Sequence, residues 1–87
     1  MGNLFGELMA VRDRRVALAQ QVQDDLKRQG LDPVLLTEPL LDETSAELTR
    51  MVQKYKERGY ELAWSARAVV EDGKLRVQLS AETSKGT

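Results

Sequence analysis

The residues WSARAVVEDGKLRVQLSA, at positions 64–81, carry the strongest structural signal in this chain of 87 residues. At their centre, Asp72 and Gly73 are typical of a type I′ turn, because that turn needs a positive φ at both central positions. A two-residue loop there pairs Glu71 with Lys74, and apolar and polar side chains then alternate along both flanking strands. We therefore predict a β-hairpin with one apolar face and one polar face.

The predicted register assigns the residues of the hairpin to its two faces. The apolar face holds the cross-strand pairs Val70 with Leu75, Ala68 with Val77, Ala66 with Leu79 and Trp64 with Ala81. The polar face holds Arg67, Val69, Arg76, Gln78 and the pair Ser65 with Ser80. An isolated two-stranded hairpin is only marginally stable in water, so we expect the apolar face to pack against helices. From Thr83 onward we expect a frayed polar tail.

The N-terminal part of the chain is typical of one long amphipathic helix, from about residue 4 to about residue 29. Its apolar residues recur at spacings of three, four and seven, and they are Leu4, Leu8, Val11, Leu18, Val22 and Leu26. Gly30 and Pro33 mark the end of this helix. Such a helix is about 39 Å long, whereas a compact domain of this size is roughly 25 Å across. One end of the helix must therefore project from the domain or pack on another chain.

An apolar connector at 31–42 follows the first helix. Its leucine and valine content is too high for a solvated loop, so we expect it to lie against the core. Asp32 with Pro33, and Glu38 with Pro39, can each open a helical turn, because proline suits the first helical position.

A second helix is predicted to begin after Thr44. Thr44 and Glu47 have the spacing of a capping box, and Gly59 provides a typical end. The elements then follow one another as α-α-β-β, which defines a small α+β fold. We expect a single domain at 1–82 and a polar tail at 83–87.

The composition excludes several classes of site. The chain has 13 basic and 14 acidic residues, a net charge of −1, and neither cysteine nor histidine. Disulfides, a thiol nucleophile and a zinc site built on Cys or His are therefore impossible. No phosphate-binding loop or calcium loop is present. We expect no enzyme activity, no cofactor and no metal, and the lack of cysteine favours the cytoplasm.

Arg15 occupies the centre of the apolar stripe of the first helix, where an unpaired arginine would be costly to bury. Three outcomes are open for its side chain. It extends to solvent from a projecting helix, it pairs with a carboxylate across a dimer interface, or it faces a partner protein. Arg12 and Arg14 flank it, so the three arginines form a basic band at mid-helix.

These features favour a non-catalytic protein-interaction module. The helix outruns the domain, and the open edge of the hairpin is available for strand addition. We therefore expect a small cytoplasmic homodimer, with the first helix in its interface, that acts as an adaptor, regulator or inhibitor of a larger protein in bacteria or phages. The predicted partner-binding residues are Phe5, Met9, Arg12 and Arg15.

The alternative function is nucleic-acid binding. Arg50, Lys54 and Arg58 lie at helical spacing on one line of the second helix, and we call them the basic row. Arg67 and Arg76 lie on the polar face of the hairpin. If the basic row adjoined that face, phosphate contacts could follow, although no aromatic side chains alternate with these charges as in single-strand binding.

Overall fold

The computed structural model describes the backbone of residues 4–85 and the side chains at position 6 and positions 8–83. A helix α1 (Leu4–Arg28) and a helix α2 (Glu38–Glu57) precede a strand β1 (Tyr60–Glu71) and a strand β2 (Lys74–Lys85). A single turn of 3-10 helix, Pro33–Leu35, separates the two α-helices. The predicted α+β fold with the order α-α-β-β is confirmed, and α1 ends within a residue of the predicted position.

The hairpin has the turn and the register that the sequence predicts. Asp72 and Gly73 both have positive φ angles, of 52° and 72°, and Glu71 lies opposite Lys74. Strand pairing continues until Tyr60 lies opposite Lys85. The expectation of a frayed tail from Thr83 is therefore wrong for 83–85, because their backbone is paired with the start of β1. Residues 86 and 87 lie outside the described part of the chain.

The predicted start of the second helix is wrong. α2 begins at Glu38, after Thr37, whose side-chain oxygen accepts a hydrogen bond from the Leu40 N–H at 3.4 Å. Thr44 is buried inside the helix, and its hydroxyl donates to the Leu40 carbonyl at 2.8 Å. Pro39 fits this earlier start, because backbone N–H groups in the first turn have no partner within the helix.

The connector packs against the core as expected. Asp32 caps the 3-10 turn by accepting a hydrogen bond from the Val34 N–H at 3.0 Å. Leu31, Leu35 and Leu36 are partly buried against the core. The second half of the predicted connector, however, is the first turn and a half of α2.

The core lies between the helices and the apolar face of the hairpin. Its buried apolar residues are Leu18, Val22 and Leu26 of α1, Leu48 of α2, and Ala66 and Ala68 of β1. The small alanines let the helices approach β1 closely. All three core residues of α1 belong to its C-terminal half, so its N-terminal half extends away from the core in a molecule of 45 × 26 × 17 Å.

Candidate functional site

Large apolar side chains are exposed along the N-terminal half of α1. Leu8 is 68% exposed, Met9 54%, Val16 58% and Val11 37%. We call these four residues the apolar patch. Single exposed apolar residues are common, but a group of them on one element is typical of an interaction surface.

The apolar patch has two origins in the sequence. Leu8 and Val11 continue the stripe that is buried further along α1, whereas Met9 and Val16 lie seven residues apart on a second line, about 80–160° further around the helix. The N-terminal half of α1 thus projects, which is one of the two outcomes expected from its length, and Met9 is exposed on it. The side chain of Phe5 lies outside the part that the structure describes.

Arg15 is paired within the chain. Its guanidinium contacts the Asp42 carboxylate on α2, and the two side chains are 34% and 61% exposed. This intramolecular pair is an outcome that the sequence analysis did not include, because it depends on how α1 and α2 cross. Arg14 also reaches α2, where it donates to the Thr49 hydroxyl at 3.4 Å. Arg12 is exposed beside the apolar patch.

The residues of the alternative site are exposed but mixed with acidic side chains. Arg50 and Arg76 line one groove together with Glu43 and Glu47. Arg76 also lies 3.5 Å from the Glu71 carboxylate. The structure thus brings one residue of the basic row close to Arg76, in a groove between α2 and β2 that also holds two carboxylates.

The other basic residues lie in different places. Arg67 lines a groove between α1 and β1 that also contains Asp24 and Asp25. Lys54 lines a shallow depression on α2 with Arg50 of the same row and with Glu57. Arg58 is exposed at the C-terminal cap of α2.

Two polar side chains of α1 and that of Gln29, the residue after its end, bind the outer edge of β1, and the sequence did not predict these contacts. The Gln21 Oε1 accepts from the Ala66 N–H at 3.0 Å, and the Asp25 Oδ2 accepts from the Ala68 N–H at 2.7 Å. The Gln29 Nε2 donates to the Ala68 carbonyl at 2.9 Å. We call these three residues the polar ladder. Their spacing of four residues beside the buried stripe was the available signal.

The described residues show neither a group of metal ligands nor a membrane-spanning helix. Among the described side chains, at position 6 and positions 8–83, no three Asp, Glu, His or Cys side chains are grouped so that they could hold a metal ion. Neither α1 nor α2, as described, combines the length and the apolar character needed to cross a membrane.

Comparison of the chain with protein-family models, with curated proteins and with solved structures finds no match. Function is therefore proposed from the exposed surfaces of the structure.

Proposed function

We propose that this chain is a non-catalytic protein-interaction module, a small cytoplasmic dimer that serves as an adaptor, regulator or inhibitor of a larger protein. The observation that carries the proposal is the apolar patch. Four large apolar side chains are exposed on the N-terminal half of α1, which meets α2 near Val11 and Arg14. Burial of such a surface by a partner contributes about 25 cal/mol per Å² of apolar area before the costs of association.

The surroundings of the apolar patch suggest the character of the partner. A groove lined by the apolar residues Val16, Ala19 and Leu41 also holds the cations Arg12 and Lys27, with Asp24 as its acidic residue. Apolar anchors fit the apolar lining, and acidic side chains fit the two cations. We therefore propose that the partner presents apolar residues flanked by carboxylates.

Quantitative capture from host lysate tests the patch. Met9→Ser combined with Val16→Ser removes two exposed anchors from α1. Val34→Ser is the matched control, because Val34 is 78% exposed on the 3-10 turn and is not part of the apolar patch. We expect specific proteins to be lost from the double variant and retained by the control and the wild type. Circular dichroism should show the same helix and strand content in all three proteins.

Two results would contradict the proposal. Equal capture by the double variant and the control would show that the apolar patch does not dock the partner. Loss of capture after nuclease treatment, together with loss in Arg50→Gln with Lys54→Gln, would favour the alternative function of nucleic-acid binding.

A further inference from the structure

The two edges of the hairpin differ in how their backbone groups are bonded. The polar ladder, formed by two residues of α1 and by Gln29 just after it, binds the outward-facing N–H groups of Ala66 and Ala68 and one of the two carbonyls. These side chains occupy the middle of the β1 edge. Another strand cannot pair there without displacing them.

The β2 edge has no such cover in the described residues. The pair next to a two-residue turn is hydrogen-bonded, so alternate residues from Leu75 onward direct their N–H and C=O groups away from β1. Among the described residues, the structure gives no hydrogen bond to these outward-facing groups of Leu75, Val77, Leu79 or Ala81. An open groove lies beside Val77, between β2 and α2.

The apolar face is also less covered on β2 than on β1. Ala66 and Ala68 are 7% and 5% exposed, whereas their cross-strand neighbours Leu79 and Val77 are only half-buried. A strand added at the β2 edge would extend the apolar face and cover part of these side chains.

We infer that a second copy of this chain pairs with β2 in an antiparallel manner, so that the dimer holds a continuous four-stranded sheet. The two-fold axis passes Leu79, and Val77 of each copy lies opposite Ala81 of the other. All three residues lie on the apolar face, so the apolar faces of the two copies join on the same side of the sheet.

The charges along β2 favour a second copy as the occupant of this edge. On the polar face, basic residues lie near the turn and Glu82 lies near the other end of the strand. Antiparallel pairing about Leu79 places Arg76 opposite Glu82 of the second copy, and the symmetry forms this pair twice. Within one chain Arg76 lies opposite Val69 and reaches the Glu71 carboxylate diagonally at 3.5 Å, whereas Glu82 lies opposite Ala63, so neither has a charged residue directly opposite it.

This inference rests on the dimer within the proposed function and names a different surface from the apolar patch. The sheet would form one side of the dimer, and the projecting half of α1 would remain available to the partner protein. The two surfaces can therefore be tested separately.

Light scattering over a range of concentrations tests the inference by charge exchange. Wild type should show about twice 9.8 kDa. Glu82→Arg alone and Arg76→Glu alone each place like charges opposite one another, and each should raise the dimer dissociation constant about tenfold or more. The double variant Arg76→Glu with Glu82→Arg restores opposite charges and should restore the dimer. Glu61→Arg, the same charge change on the polar face of β1, is the matched control.

A second variant probes the backbone of the edge. Ala81→Pro removes one outward-facing N–H without removing a hydrogen bond to β1, so it should weaken the dimer and leave the hairpin folded. Circular dichroism verifies the fold of each variant.

Each contrary outcome has a distinct meaning. A dimer that survives both single charge changes and Ala81→Pro overturns the inference. A dimer lost in both single variants but not restored by the double exchange overturns the proposed register. A dimer lost only in Met9→Ser with Val16→Ser would place the interface on α1, as the sequence predicts. A monomeric wild type would rule out a dimer interface on β2 and also one on α1. The capture experiment would still test the role of the apolar patch.

Discussion

The two halves of α1 carry the same amphipathic pattern in different surroundings. In the C-terminal half, Leu18, Val22 and Leu26 are fully buried. In the N-terminal half, Leu8 and Val11 continue the same stripe at 68% and 37% exposure. The helical period is unbroken, so the difference arises from the surroundings of the helix. The C-terminal half packs in the core with α2 and the hairpin, whereas Val11 and Arg14 of the N-terminal half only border α2. An amphipathic pattern predicts that the apolar face of a helix will be buried. The tertiary fold determines which part of that face is buried within the chain and which part stays exposed.

Removal of one leucine from each half gives the largest expected contrast. Leu18→Ala should lower the free energy of unfolding by about 2–5 kcal/mol, because it leaves a cavity in the core. Leu8→Ala should change it by less than about 0.5 kcal/mol, because the side chain is already exposed. Urea denaturation at low protein concentration measures both values.

Comparable losses of unfolding free energy in Leu18→Ala and Leu8→Ala would contradict the difference in burial between the two halves of α1. Such a result would mean that Leu8 is buried in solution, for example by another copy of the chain. Repetition of the measurement at several protein concentrations distinguishes that case, because only a dimer makes the stability depend on concentration.

The polar ladder offers a second contrast, between Asp25, which binds β1, and its exposed neighbour Asp24. Asp25→Ala should cost about 1–3 kcal/mol, because it removes the acceptor of the partly buried Ala68 N–H. Asp24→Ala is the matched control, since Asp24 is the adjacent residue of the same type and is exposed. Denaturation gives the two free energies, and hydrogen exchange should show faster exchange of the Ala68 amide in the first variant alone. Equal stability of the two variants would mean that the ladder contributes little to the docking of α1 on β1.

The hairpin could be predicted from the sequence because its signals are local and agree. The turn residues Asp72 and Gly73 fix the loop, and the alternation of the strands fixes the same register. The start of α2 could not be read in this way. Thr44 and Glu47 have the spacing of a capping box, but Thr44 donates to a carbonyl of the preceding helical turn and is buried by tertiary packing.

The candidate site was only partly predictable, because some of its contacts depend on tertiary packing. The projection of one end of α1 followed from its length relative to the size of the domain. The contacts of Gln21 and Asp25 with β1 join residues more than forty positions apart, at separations of 45 and 43. Such contacts depend on how the elements dock, so the spacing of these polar residues could mark a polar line on the helix but not the strand that it binds.

Arg15 stands at the boundary between the two halves of α1, and its pair with Asp42 provides the smallest expected effect. Exposed ion pairs typically contribute about 0–1 kcal/mol. A double-mutant cycle with Arg15→Gln and Asp42→Asn should therefore give a coupling below about 1 kcal/mol. Arg12→Gln is the control, because Arg12 is exposed on the same segment and should be near neutral for stability.

The size and concentration dependence of this coupling decide where Arg15 acts. A small coupling that is independent of protein concentration fits a pair within one chain, which holds α1 against α2 just where the covered half ends. Added salt should weaken it, because two exposed charges are screened. A coupling above about 2 kcal/mol would instead indicate that the pair is desolvated. If that larger value also grew with protein concentration, Arg15 would lie in a dimer interface on α1, and the N-terminal half of the helix would be covered by a second copy rather than left to the partner.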